Sequence, residues 1–178
     1  MANTLTLTLD KTLIIEGVKA DTYITGQIDK SADSVKNASL AYNEQAGDDE
    51  YHERKLLRTL RGAVGKFEAH LAEFVDTSAP DSITDDLSST TTDTFSIEVK
   101  VSERYNAGLA KPMSALAMEY IINMMLYAWW QSIKPSLAKD YIAFANESLM
   151  SIRLCLAKTA PATSSSAYEN VTGEVTTS

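Results

Sequence analysis

The sequence predicts a mainly α fold: a bundle of four long helices with a small β element and a polar C-terminal tail. Three observations carry this. The stretch Pro112–Trp130, PMSALAMEYIINMMLYAWW, is apolar on nearly every side, with Glu119 and Asn123 as its strongly polar interruptions. A helix of that kind has to be surrounded, because a surface helix keeps one polar face. A second segment carries Leu57, Leu60, Val64, Phe67, Leu71 and Phe74 at alternating steps of three and four, a heptad-type seam. Third, Phe95, Ile97, Val99 and Val101 alternate with Ser96, Glu98, Lys100 and Ser102, the period of a strand with one wet face.

The elements follow in order. Leu5, Leu7 and Leu9 alternate with threonines and predict an N-terminal strand; Asp10-Lys11 then turns the chain into a second short strand, Thr12 to Ile15. These form an N-terminal β arm over residues 1–16. Helical spacing follows from Val18 to Gln45, along Ile24, Ile28, Ser31, Val35, Ala38 and Tyr42. Asp48, Asp49 and Glu50 open the seam helix, with acids at the positive end of its dipole. The Ser-, Thr- and Asp-rich stretch 77–94 breaks the pattern and predicts a loop, so loop and strand together form an insert at 77–104.

A lone strand between helices must pair. The Leu5/Leu7/Leu9 strand is the available partner, within the chain or across to another copy by strand addition. The central helix begins near Pro112, well suited to a first helical turn, and Lys134-Pro135-Ser136 ends it. The fourth helix places Leu137, Tyr141, Phe144, Leu149, Ile152 and Leu156 on one broad face. The bundle thus spans 17–158, and residues 159–178, poor in apolar side chains, read as a flexible tail.

Charge narrows the function classes. The net charge is -8, distributed as −4 over residues 1–76, −4 over 77–110, +2 over 111–158 and −2 over 159–178. An acidic surface repels phosphate backbones, so specific nucleic-acid binding is not expected. Arg54, Lys55, Arg58 and Arg61 lie off the seam. They read most simply as a solvated face pairing with nearby acids, with a phosphate site as the other reading. The apolar run is shorter than the about 20 residues of a membrane span and contains Glu119 and Asn123. The N-terminus has neither the basic nor the continuous apolar region of a secretory signal, which predicts an intracellular protein.

Catalytic and metal-binding patterns are not expected either. His52 and His70 are the two histidines, and neither follows a glutamate by three positions, as a di-iron bundle requires. His70 reads as a surface residue bonded to Glu73. Cys155 reads as a buried, inert thiol. Neither a cofactor nor a metal site nor an enzyme activity is predicted. Trp129 and Trp130 lie about 100° apart on their helix; either one fills the bundle while the other lies against another element or another subunit, with Trp130 the candidate for a contact between subunits, or both are buried within the monomer.

The run ALAMEYIINMMLYAWW, the proline break and LAKDYIAFANESLMSIRLCL resemble the head–tail connector (adaptor or neck) proteins of tailed bacteriophages and prophages. The matching residues are Ala115, Leu116, Tyr120, Ala138, Tyr141, Ala145, Leu149 and Leu156, within residues 105–158, with looser agreement over Glu50 to Phe74. The resemblance implies a virion structural protein, assembled in the host cytoplasm: a ring of identical subunits between the portal and the tail or neck proteins. It further implies that the β element and termini reach neighbouring subunits, and that DNA passes through an acidic lumen without specific binding. The candidate interface residues are Leu5, Leu7, Leu9, Phe95, Ile97, Val99, Val101 and Trp130. The other reading is a soluble helical adaptor or regulatory module that binds a protein partner through an exposed strand.

Overall fold

A computed structural model describes residues 3–32, 46–47, 50–74, 93–102, 105 and 107–157. Among them are two strands, four long helices and one 3-10 turn: β1 (Asn3–Asp10), α1 (Lys11–Ala32), α2 (Glu50–His70), β2 (Thr94–Val101), the turn Ala107–Leu109, α3 (Ala110–Trp130) and α4 (Pro135–Ala157). The fold is the mainly helical one that the sequence predicts. The loop before Asp93 and the tail after Ala157 lie outside the described residues.

α3 is the centre. β1, α1, α2 and α4 all pack on it. Its first turns leave Lys111, Pro112, Ala115 and Glu119 exposed, but from Tyr120 to Trp130 every residue is buried or half-buried. The two polar interruptions therefore part company: Glu119 reaches solvent and Asn123 is enclosed.

β1 and β2 pair antiparallel, with Leu5 opposite Val99, Leu7 opposite Ile97 and Leu9 opposite Phe95. The register is fixed by burial, since a slip of one residue would turn every leucine to the wet face. The backbone ladder continues past the strands, where the Lys11 N–H donates to the Asp93 carbonyl at 2.7 Å. The sheet's outer face is Thr4, Thr6 and Thr8 beside Ser96, Glu98 and Lys100, all exposed.

The predicted second strand, Thr12–Ile15, is instead the start of α1. The cause is local: the Asp10 Oδ1 accepts the Leu13 N–H at 3.0 Å and caps the helix. The N-terminal segment is thus no independent arm, because β1 runs directly into α1 and its leucines enter the core. The buried line of α1 is Ile14, Val18 and Thr22, whereas Ile24 of the expected seam is exposed. The side chains of Ile28 and Ser31, and all of Val35, Ala38 and Tyr42, lie outside the described residues. Gly17 sits where α1 meets α3; a Cβ there would stand 3.0 Å from the Ile122 Cδ1. Thr22 is fully buried yet satisfied: its hydroxyl donates to the Lys19 carbonyl at 3.0 Å and accepts the Ala46 N–H at 3.2 Å.

α2 buries Leu56, Leu60, Ala63, Val64 and Phe67, the expected seam with Leu56 in place of Leu57. Phe67 packs on Tyr120 of α3 with ring centroids 5.3 Å apart. At its end, the Arg153 guanidinium of α4 donates to the His70 carbonyl at 2.7 Å. This supplies a cation to a helix terminus whose last carbonyls have no partners within the helix.

α4 lies along α3 through a stripe of small residues. Ala138, Ala145 and Ser148 are buried together with Leu149, Ile152 and Leu156. Phe144, expected on that face, is 50% exposed. It is one position, about 100°, from Ala145. The small side chains let two helix backbones approach, and the larger ring is turned out.

The two glycines of α2 offer a direct check. Gly62 and Gly65 are exposed in mid-helix, and a Cβ at either would meet nothing within 4 Å. Ile97, by contrast, is fully buried. Ile97→Glu is expected to lose more than about 4 kcal/mol, from lost burial plus an unpaired buried charge, and to unfold the chain in circular dichroism. In the same melts Gly62→Ala/Gly65→Ala is expected to gain about 1 kcal/mol or more. A folded Ile97→Glu chain would show that β2 does not belong to the core.

Candidate functional site: the outer face of α4 and a basic cleft on α2

The side chains predicted to join subunits are used within the chain. Leu7, Leu9, Ile97, Val99 and Trp130 are fully buried, Phe95 and Val101 nearly so, and Leu5 is half-buried against the same core. The sheet's alternation turns all seven strand residues to the core face, where β1 packs on α3 and β2 meets α1. Within one chain these side chains are therefore already packed against the core. Both tryptophans are internal: Trp129 lies against α2, and Lys134 stands 5.2 Å from the Trp130 ring. The outer edge of β2 is also engaged, since the Lys100 N–H donates to the Phe74 carbonyl at 2.5 Å.

The apolar surface that remains lies elsewhere. On α4, Ala143, Glu147, Met150 and Leu154 recur at steps of four, three and four, and all are exposed. Met150 is 64% and Leu154 61% exposed, and Phe144 flanks them. Leu13, Tyr23 and Ile24 are the exposed large apolar residues of α1. This outward face was hidden in the sequence because α4 has apolar residues all round. The signal that separates its faces is the seven-residue recurrence of Ala138, Ala145 and Ile152, which marks the closely packed side.

The second feature is a cleft of about 280 Å³ lined by Tyr51, Arg54, Lys55 and Arg58 of α2. Beneath one of its lining residues lies the buried Trp129, with the Lys55 Nζ 3.8 Å from the ring centroid. His52 meets Trp129 edge-on at 5.5 Å, and its Nδ1 accepts the Gly47 N–H at 3.0 Å, which fixes the segment before α2. Arg54 pairs with Glu50 one turn earlier. Lys55 and Arg58 have no carboxylate partner among the described residues, contrary to the reading of this face as acid-paired. The Lys55 ammonium is pushed below the ordinary lysine value by burial first and by Arg58 second.

The remaining candidate groups are structural. His70 makes no hydrogen bond to Glu73; its ring lies edge-on to Tyr120 at 6.4 Å. Cys155 is half-buried against the core. Among the described residues no group of three His, Cys, Asp or Glu side chains converges as metal ligands, and no helix is long and apolar enough to cross a membrane. No protein-family model, curated protein or solved structure matches this chain.

The cleft makes a testable statement about charge. The folded chain holds fewer protons on Lys55 than the unfolded chain does just below the ordinary lysine value, so this group's contribution to stability rises with pH in that window. An NMR titration is expected to find Lys55 releasing its proton below the ordinary lysine value, and Arg58→Gln raising its midpoint. An unchanged midpoint in Arg58→Gln would remove the repulsion between the two side chains.

Proposed function

We propose that this chain is a structural subunit of a head–tail connector ring of a tailed bacteriophage. It joins portal to tail or neck proteins, assembles in the host cytoplasm and resides in the virion. The observation that carries the reading is the outer face of α4. A helix whose inner side is matched to α3 by small residues keeps Phe144, Met150 and Leu154 in solvent, where they contribute nothing to their own core. Three large apolar side chains exposed on one helix, with Glu147 among them, suit association with copies of this chain. The order of parts also supports it: strand and helix, seam helix, strand, then an apolar helix, proline break and leucine-rich helix. The proposed contact is by helix faces, not by the sheet's apolar side chains. The surplus of acid, -8 overall, suits a lumen through which DNA slides without being held.

Mass under native conditions tests this. The chain, alone or with its portal, is expected to form a cyclic oligomer, and Met150→Glu/Leu154→Glu is expected to return it to the 19.5 kDa of one chain with an unchanged helical circular-dichroism spectrum. A chain that stays monomeric with and without portal would end the connector reading. An oligomer unaffected by the two substitutions would move the contact off α4.

A further inference from the structure

We propose that the cleft on α2 is a binding site for a phosphate-bearing ligand of the nucleotide class, with phosphate held by Lys55 and Arg58 and the base stacked on Tyr51. The inference is independent of the connector reading, which assigns no ligand to this helix.

Four features of the cleft point the same way. First, Lys55 and Arg58 stand close together without a carboxylate partner among the described residues. In a chain with 24 acidic against 16 basic residues, two adjacent cations that lack a carboxylate partner among the described residues are a local reversal of charge. An anion between them relieves their mutual repulsion, and a phosphate can accept hydrogen bonds from both. Second, the Lys55 position is built. Its ammonium stands over the buried Trp129 ring, 3.8 Å from the centroid, and His52 packs edge-on against that ring. That ammonium is partly desolvated already, so less water must be stripped from it when an anion arrives. Third, Tyr51 is 76% exposed at the rim, on the same helix face as Lys55 and Arg58. A tyrosine left in solvent beside two cations is the arrangement that takes a base by stacking while phosphate is held electrostatically. Fourth, the volume of about 280 Å³ is at the small end for ligand sites and fits a single nucleotide unit better than a folded partner.

Arg54 shares the rim but is committed to Glu50. It closes over the ligand only by exchanging one carboxylate for phosphate. The same chemistry has two sources, a free nucleotide or one unit of a single strand, and the test separates them.

The purified full-length chain is titrated with ATP, with pyrophosphate, with oligo-dT and with oligoglutamate, following tryptophan fluorescence, which senses Lys55 leaving the Trp129 ring, and calorimetry. Three variants are compared: Arg58→Glu and Tyr51→Ala in the cleft, and Lys139→Glu as a charge-matched control on the exposed side of α4. Circular dichroism checks that each folds. The inference expects saturable binding of ATP or oligo-dT, weakened by about tenfold or more in Arg58→Glu, which loses a charge-assisted contact, and little changed in Lys139→Glu. Tyr51→Ala is expected to weaken ATP and oligo-dT but not pyrophosphate. Tighter binding of oligo-dT than of ATP identifies the strand as the source, and the reverse identifies the free nucleotide. Equal weakening by Arg58→Glu and Lys139→Glu would reduce the effect to net charge and overturn the site. So would no binding of any phosphate ligand, or binding of oligoglutamate alone, which would assign the cleft to an acidic protein segment.

Discussion

The enclosure of α3 is the constraint on which the other elements depend. Eleven consecutive residues, Tyr120 to Trp130, have no exposed member, and they include two tryptophans, two tyrosines, two methionines, isoleucines and a leucine. Each large apolar side chain removed from water contributes about 1.5–3 kcal/mol. No single neighbour covers the whole circumference, so four elements are recruited: α4 along one side, α2 and α1 on others, and β1 with its partner strand as a lid. The sheet follows from this. Two strands alone are marginal in water, and here they are held because their leucine, isoleucine and valine faces complete the wall around α3.

Several polar groups near this core are satisfied by backbone partners, whereas the buried Trp130 Nε1 has none among the described residues. Thr22 is satisfied by two backbone groups, His52 accepts a backbone N–H, and Arg153 ties the end of α2 to α4. Burial holds the Tyr120 phenol above its ordinary range, in keeping with a ring packed between Phe67 and His70. The chemistry that stands apart from this pattern is the pair Lys55 and Arg58 on α2, which has no carboxylate partner among the described residues.

Much of the fold was legible in the residues. The alternation of β1 and β2, the seam of α2 and the apolar girth of α3 each carry one dominant period, and each element formed as read. Two readings failed for local physical reasons. Asp10 capped a helix where a second strand was expected, because a single side-chain oxygen reaching the Leu13 N–H outweighs the weak β preference of Thr12 to Ile15. Phe144 turned outward because close packing of α3 and α4 selects alanine over bulk, which a count of large apolar residues does not detect. The interface candidates pack within the chain, since alternation identifies an apolar face without saying what covers it. The cleft was half legible: the four basic residues stood out, but that Lys55 lies on Trp129, seventy-four positions away, is a fact of tertiary packing alone.

Native-state hydrogen exchange measures the central claim most directly, because it assigns an opening free energy to each backbone amide. If α3 is the element that the rest are built around, the amides from Tyr120 to Trp130 exchange only through global unfolding, and those of β1, α1 and α4 open at equal or lower free energy. Amides of α3 that open well below the global value, while β1 and β2 remain protected, would contradict it and place the organising centre of this fold elsewhere.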